Sequence, residues 1–249
     1  MVCISHVKTF DELVEGIKEI KDCGFVKTHR ADDTGIGKTL EDLLGIKENN
    51  FSGPDGQDTE LKAARINSSS MLTLFTKSPL PRAINSKLRK AYGYPDKTYA
   101  PKLCLHSTVT STRFNSDGFR IIGKKDRIEL ACNKKQTKIP DMPIPYWKKE
   151  TLEEAIKDKY KDSLLYAKAE FRGSGKEEEF HFIEAYHLQG LNFEKFSTNL
   201  SKGILKVDIR LGFNGPDTKK PGTPHDHGTG FRINPSFLDL IFAKTKRVV

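Results

Sequence analysis

Pro54-Asp55-Gly56-Gln57-Asp58-Thr59-Glu60-Leu61-Lys62 is the stretch on which the reading of this chain turns. Gly53, Pro54 and Gly56 mark a turn over Phe51–Gln57, and Thr59 to Ile66 reads as a strand. Side chains alternate along a strand, so Glu60 and Lys62 leave one face while Leu61 points into the core. The turn brings Asp55 alongside. Asp55 and Glu60 then suit a hard cation such as magnesium, and the Leu61 carbonyl adds an oxygen ligand. Lys62 beside an attacking water favours its hydroxide form. The ion polarises a phosphate and stabilises the charge of the transition state. That is the chemistry of phosphodiester hydrolysis. The bland alternative is a solvated strand on which Glu60 and Lys62 pair with each other.

The whole chain is compatible with such an enzyme. Its 249 residues allow one large domain or two lobes sharing a core. Lys and Arg total 42 against 33 Asp and Glu, a formal charge of +9. That excess invites a polyanion such as nucleic acid, although many basic proteins bind none. With 36% hydrophobic and 30% charged residues the composition is that of a globular protein. No apolar run approaches the roughly 20 residues that span a bilayer, and Met1 to Phe10 is too polar for a signal peptide. Cys3, Cys23, Cys104 and Cys132 form no Cys-x-x-Cys pair, which argues against a thiolate zinc site and for a reducing cytoplasm.

The pattern along the chain is mixed α/β. Thr9-Phe-Asp-Glu12 has capping-box spacing, with Leu13, Ile17 and Ile20 on one helical face behind it. A second helix is expected from Lys38 to Leu44, stopping at Gly45. Met71–Lys77, Gly118–Ile122 and Arg127–Ala131 read as strands, and residues 78–101 as loop with a short helix at Asn85–Ala91. Pro140, Pro143 and Pro145 mark a rigid connection, which places a lobe boundary there: 1–145 catalytic, 146–249 recognition. Thr151-Leu-Glu-Glu154 reads as a second capping box, opening a helix to about Tyr160. A hairpin follows over Leu164–Phe171 and Glu179–Leu188, then a helix at Phe193–Leu200 and a strand at Ile204–Leu211. Residues 212–230 read as loop before Phe231–Ile233, and Asn234-Pro-Ser starts a last helix through Phe242.

Thr34-Gly-Ile-Gly-Lys-Thr39 imitates the end of a phosphate-binding P-loop. The first glycine of that pattern falls on Asp32, whose charge would repel phosphate. A tight turn into a helix is the better reading.

The Asp55, Glu60, Lys62 spacing is that of the PD-(D/E)xK nucleases. Gly35-Ile-Gly-Lys-Thr-Leu-Glu41-Asp-Leu-Leu44 resembles the helix that precedes the core in one branch, where a helix carboxylate faces the site. Ser70-Met-Leu-Thr-Leu-Phe-Thr-Lys-Ser-Pro79, Lys206-Val-Asp-Ile-Arg-Leu-Gly212 and His225-Asp-His-Gly-Thr-Gly-Phe-Arg-Ile233 follow in order. Together they resemble the MvaI/BcnI family of type II restriction endonucleases, on the MvaI side in Asp208-Ile-Arg210 and His225-Asp-His227. The likeness runs from about residue 28 to 233, loosely over 95–200. It implies a MutH-like restriction-endonuclease core, two lobes forming a DNA-binding cleft, and a magnesium-dependent monomer in which manganese substitutes. Asp55, Glu60 and Lys62 match the catalytic set, and Glu41 matches the helix acid. Asp58 adds an acid beside the site. The extra glycines of Gly53-Pro-Asp-Gly leave the exact place of Asp55 open.

Reading a duplex needs donors and acceptors at base edges. Arg suits guanine, and Asp accepts from cytosine N4. Asp208 and Arg210 alternate on one strand, and Arg232 sits just past a loop offering His225 and His227. The resemblance implies readout of C·G pairs by these segments, with CC(A/T)GG ahead of CC(C/G)GG as target. Competing readings are an Asp208–Arg210 surface pair, a solvated polar loop at His225 and His227, and a His-x-His zinc pair lacking a third ligand. Lys77, Arg82, Lys87, Arg89 and Lys90 form a basic cluster suited to phosphates or to solvent. His181 and His187 lie in an apolar hairpin and read as structural. A MutH-like repair nickase and a non-catalytic DNA-binding protein are the rival functions. Two acids repel DNA unless a cation sits between them, which disfavours the pure binder. A restriction enzyme further implies a companion methyltransferase and a prokaryotic cytoplasm.

Overall fold

Glu12 N donates to Thr9 Oγ1 and Thr9 N to Glu12 Oε2, closing the capping box that starts the first helix. The computed structural model describes residues 7–47, 53–133, 142–161, 163–216, 218–226 and 228–249. Phe51 and Pro140, used in the turn and boundary readings, lie outside them, as does His227.

The described elements begin with α1 (Phe10–Asp22), β1 (Val26–Lys27), α2 (Gly35–Leu43), β2 (Glu60–Arg65) and β3 (Leu72–Thr76). Next come α3 (Ile84–Tyr92), β4 (Tyr94–Pro95), β5 (Leu103–Val109), β6 (Phe119–Gly123), β7 (Arg127–Cys132) and β8 (Tyr146–Lys148). Then follow α4 (Lys149–Tyr160), β9 (Ser163–Arg172), β10 (Glu179–Gln189), α5 (Phe193–Ser201) and β11 (Leu205–Phe213). The chain closes with β12 (Pro224–Asp226), β13 (Gly230–Ile233), α6 (Leu238–Ile241) and β14 (Lys244–Arg247).

Two compact units form, each from several segments. One holds the chain up to Ser70, Ile156–Asn192 and Asp239–Val249; the other holds Met71–Ala155 and Phe193–Leu238. The composition reading placed one break at 145/146; the chain instead passes between units four times.

In the first unit the strand order is β1-β10-β9-β2, with β14 also pairing with β10. The β9–β10 hairpin is antiparallel, whereas β2 runs parallel to β9 with Glu60 opposite Leu164 and Lys62 opposite Tyr166. β2 is thus an edge strand, one side of its backbone turned away from the sheet. Leu13 and Ile17 of α1, Leu40 of α2, Leu61, Leu165 and Phe180 share the core. Each such side chain contributes about 1.5–3 kcal/mol by leaving water.

The second unit contains a six-stranded sheet, β3-β13-β11-β5-β4 with β12 on β11, and a three-stranded one, β6-β7-β8. β5 takes one edge of β11, and β12 and β13 follow one another along the other. The core is aromatic: Phe231 stacks on Phe75 at 4.9 Å and meets Phe196 and Trp147 edge-on. The buried Trp147 Nε1 donates to Lys77 O at 2.8 Å.

Two helix starts differ from the sequence reading. α2 begins at Gly35, ahead of Lys38, because Gly35 N donates to Asp32 O and Thr39 Oγ1 donates to Gly35 O. α4 begins at Lys149, whose N–H donates to Asp126 O at 2.9 Å, so Thr151 lies inside the helix and not at its cap. The expected last helix is a 3-10 turn, Pro235–Phe237, capped by Asn234, followed by the short α6.

Candidate active site

The turn before β2 closes on two backbone bonds: Gly56 N to Thr59 O and Gln57 N to Lys8 O, both 2.9 Å. A Cβ on Gly56 would meet Leu13 Cδ1 at 2.9 Å and Lys8 O at 3.0 Å, so only glycine fits against α1. That settles the place of Asp55. Its Oδ2 accepts from Leu61 N at 3.0 Å. In a strand the N–H and C=O of one residue leave the same side. The Leu61 carbonyl therefore points to the same free edge of β2 as Asp55, while the Leu61 side chain is buried in the core.

Glu60 is 1% exposed. Lys62 Nζ donates to its Oε1 at 2.8 Å. Lys159, in the last turn of α4, brings Nζ within 2.9 Å of Oε2, yet off the hydrogen-bond direction. Oε2 is buried with a charged neighbour and accepts no hydrogen bond from the described residues. Lys159 Nζ also donates to Gly53 O at 3.3 Å. Burial pushes the Glu60 carboxyl above its ordinary range, aided by Asp55 and opposed by both lysines. Burial alone would lower Lys62, but the charges of Glu60, Asp55 and Glu41 outweigh it and raise it above its ordinary range. Glu41 of α2 thus acts on the site through Lys62. The Tyr160 phenol is raised well above its usual range by burial, then by Glu60 and Asp55.

These residues fit a divalent cation. A buried carboxylate oxygen without a hydrogen bond is costly unless a charge meets it. The Asp55 carboxylate and the Leu61 carbonyl supply further hard oxygens beside it. Among the described residues no group of three or more His, Cys, Asp or Glu is placed to hold a metal. A magnesium-type site needs no such group, since it uses one or two carboxylates together with water and substrate phosphate.

In the second unit, Asp208 is 5% exposed. Its Oδ1 accepts from Thr108 Oγ1 at 2.6 Å and its Oδ2 from Arg232 Nη1. The other fork nitrogen of Arg232, Nη2, donates to Met71 O, so this guanidinium is turned inward. Asp208 thus pairs with Arg232 and not with Arg210. Arg210, on the same face of β11, donates to Gly228 O and stands opposite His106 of β5. His225 is exposed on β12, next to Asp226, which accepts from Asn85 Nδ2 and Gly228 N. A pocket of about 270 Å³ lies there, lined by Asn85, Arg89, His225 and Asp226 among others. Arg82 is exposed and Lys77 half-buried. His181 and His187 are hairpin residues, within 3.1 Å of Lys21 O and 3.0 Å of Ser163 Oγ.

The MvaI/BcnI restriction endonuclease family profile matches residues 14–242. The chain belongs to the MvaI/BcnI restriction endonuclease family. Among solved structures it is similar to restriction endonuclease MvaI in complex with its cognate DNA substrate. That match has a TM-score of 0.84 and 34% identity over 96% of this chain and 98% of the other. MvaI in the absence of DNA matches with a TM-score of 0.56 and 33% identity over 98% and 99%. A comparison with curated proteins found no match. As a MvaI/BcnI family member the chain has a restriction-endonuclease-like fold, is a type II deoxyribonuclease and binds DNA. Divalent-metal dependence is general to such enzymes. Among its described residues no helix is long and apolar enough to cross a membrane.

Two residues of the site were not legible in the motif: Lys159 and Tyr160 follow Lys62 by about a hundred positions. The only sequence signal for them was their place at the end of the expected helix after Thr151.

Proposed function

We propose that this MvaI/BcnI family member hydrolyses DNA at CC(A/T)GG or a related C/G-rich site using magnesium, with manganese as a substitute. The observation that carries the catalytic part is the Glu60 carboxylate, buried beside Asp55, with Lys62 on one oxygen and the other accepting no hydrogen bond from the described residues. Asp55, Glu60 and the Leu61 carbonyl would hold the ion. When bound it supplies Lewis-acid polarisation of the scissile phosphate.

Lys62 acts here as an ammonium, a form that Glu60 beside it favours. Its ammonium, fixed on Glu60, stabilises hydroxide character in the attacking water and negative charge on the phosphorane-like transition state. Against the burial that disfavours it, Glu60 first, then Asp55 and Glu41, favour that ammonium. Buried Tyr160 and Leu61 exclude water from behind the carboxylates.

For the target, Arg210 is the donor to guanine and His225 reads from the β12 loop, with His227 as its companion. Asp208 keeps acceptor capacity beyond its two bonds, since a carboxylate has about four lone-pair sites, and so accepts from cytosine. Arg232 takes part by fixing Asp208. Lys77 and Arg82 meet backbone phosphates. The reading includes a monomeric, cytoplasmic enzyme paired with a separate methyltransferase.

Digestion of supercoiled plasmid and phage DNA with and without magnesium tests this, with sequencing of the ends. Discrete fragments ending at one C/G-rich motif support it. Nicked circles alone would replace it with a repair nickase, and retarded but uncut DNA with a binding protein.

A further inference from the structure

Glu60 is approached by two ammonium groups, and they are not equivalent. Lys62 makes a hydrogen bond to Oε1 from two residues away on the same strand, a local geometry that β2 itself imposes. Lys159 comes from a different element. It reaches Oε2 at 2.9 Å without hydrogen-bond alignment, and its one hydrogen bond among those in the site goes to the Gly53 carbonyl. Its side chain is about one-fifth exposed, at 22%, against 1% for Glu60, so part of it already meets solvent. Lysine is a compact charge on a flexible stem and can withdraw without moving the helix that carries it.

We propose that Lys159 is a placeholder cation. It neutralises Glu60 while no divalent ion is bound, and it gives way when the ion takes Oε2. The inference rests on the assignment of the ion to Asp55 and Glu60. Its physical basis is that an uncompensated buried carboxylate is costly, whereas an ammonium and a divalent ion held together on one oxygen repel. One of the two positive charges must therefore leave. Gly53 O offers the ammonium a partner outside the carboxylate pair, and solvent offers another.

The consequence is a sign that a merely structural lysine does not produce: removing its charge should strengthen metal binding. The test is Mn²⁺ binding to the full chain without DNA, read from the free-ion EPR signal. Lys159→Met, which keeps the stem and loses the charge, should bind Mn²⁺ roughly tenfold more tightly, the order expected for a unit charge removed beside a divalent ion at high effective dielectric. Lys159→Arg should bind it more weakly, because a planar fork grips a carboxylate better than an ammonium does. Unchanged or weaker binding in Lys159→Met overturns the proposal, as does unchanged or tighter binding in Lys159→Arg. Glu60→Gln separates the two levels. If it binds Mn²⁺ as well as the unaltered chain, the ion is elsewhere and the site assignment itself fails. Should Lys159→Met not fold, a crystal structure of the unaltered chain with Ca²⁺ decides. Nζ more than 4 Å from Oε2 supports displacement, and Nζ still in contact with it overturns the proposal.

Discussion

Lys62 Nζ and Glu60 Oε1 lie 2.8 Å apart on the same face of β2, so the spacing of two residues in sequence becomes a contact between the two proposed catalytic groups. Removing either partner takes away a charge that the transition state needs. Glu60→Ala and Lys62→Ala should each lower cleavage by about 10²–10⁴-fold while retaining specific binding in a gel-shift assay. Persistent cutting by both variants would remove the assignment.

Asp208 and Arg232 form a largely buried pair, the carboxylate keeping a small opening of 7%. Arg232→Met leaves that carboxylate without its charge partner and should cost about 3–5 kcal/mol in a urea melt. The double change Asp208→Leu with Arg232→Met should cost less than Arg232→Met alone. A loss below about 1 kcal/mol for the single variant would show the pair to be dispensable.

Arg210 stands on the proposed readout face of β11 with its Nε donating to Gly228 O. Arg210→Ala should weaken binding to the cognate duplex by about 1–3 kcal/mol and relax preference at one base pair. Equal weakening on cognate and random duplexes would make it a phosphate contact instead, visible as a reduced salt slope.

The Tyr166 phenol on β9 is pushed up to about 12 by burial. A folded value above the unfolded one means stability that is intact below about pH 10 and lost as pH rises toward about 12. Tyr166→Phe lacks that ionisation. Between about pH 9 and 11.5 it should lose less stability than the unaltered chain, the gap widening by at most roughly 1.4 kcal/mol for each pH step above about 10. Parallel losses in urea melts at the two pH values would refute late ionisation of this group.

Much of the candidate site's geometry was legible because it is local. Alternation along β2 placed Glu60 and Lys62 together and sent Leu61 inward, and the Thr9–Glu12 box fixed the start of α1. The β9–β10 hairpin was visible because two alternating apolar runs flank Gly173-Ser-Gly175. Short strands escaped. β1, β4, β8, β12 and β14 are two to four residues long, too short for periodicity, and exist because a longer neighbour offers them an edge.

On β11 the spacing of the proposed readout residues was legible and their pairing was not. Asp208 and Arg210 share a face of β11, as their spacing requires. That Asp208 bonds Arg232 depends on β13 lying antiparallel along β11 with Gly230 opposite Asp208. No spacing in the chain encodes that register.

The sequence alone determined the chemistry available: acids and an ammonium at fixed intervals on a strand, glycines and a proline that mark the turn before it, and an excess of positive charge. Covalent spacing and backbone geometry are local, so they can be applied without a fold. Tertiary structure alone decided the environment of those groups. It buried Glu60, brought Lys159 and Tyr160 to it from a helix about a hundred residues away, and turned Arg232 inward to Asp208. Burial and charge act through space, and only the packed chain says which residues are near.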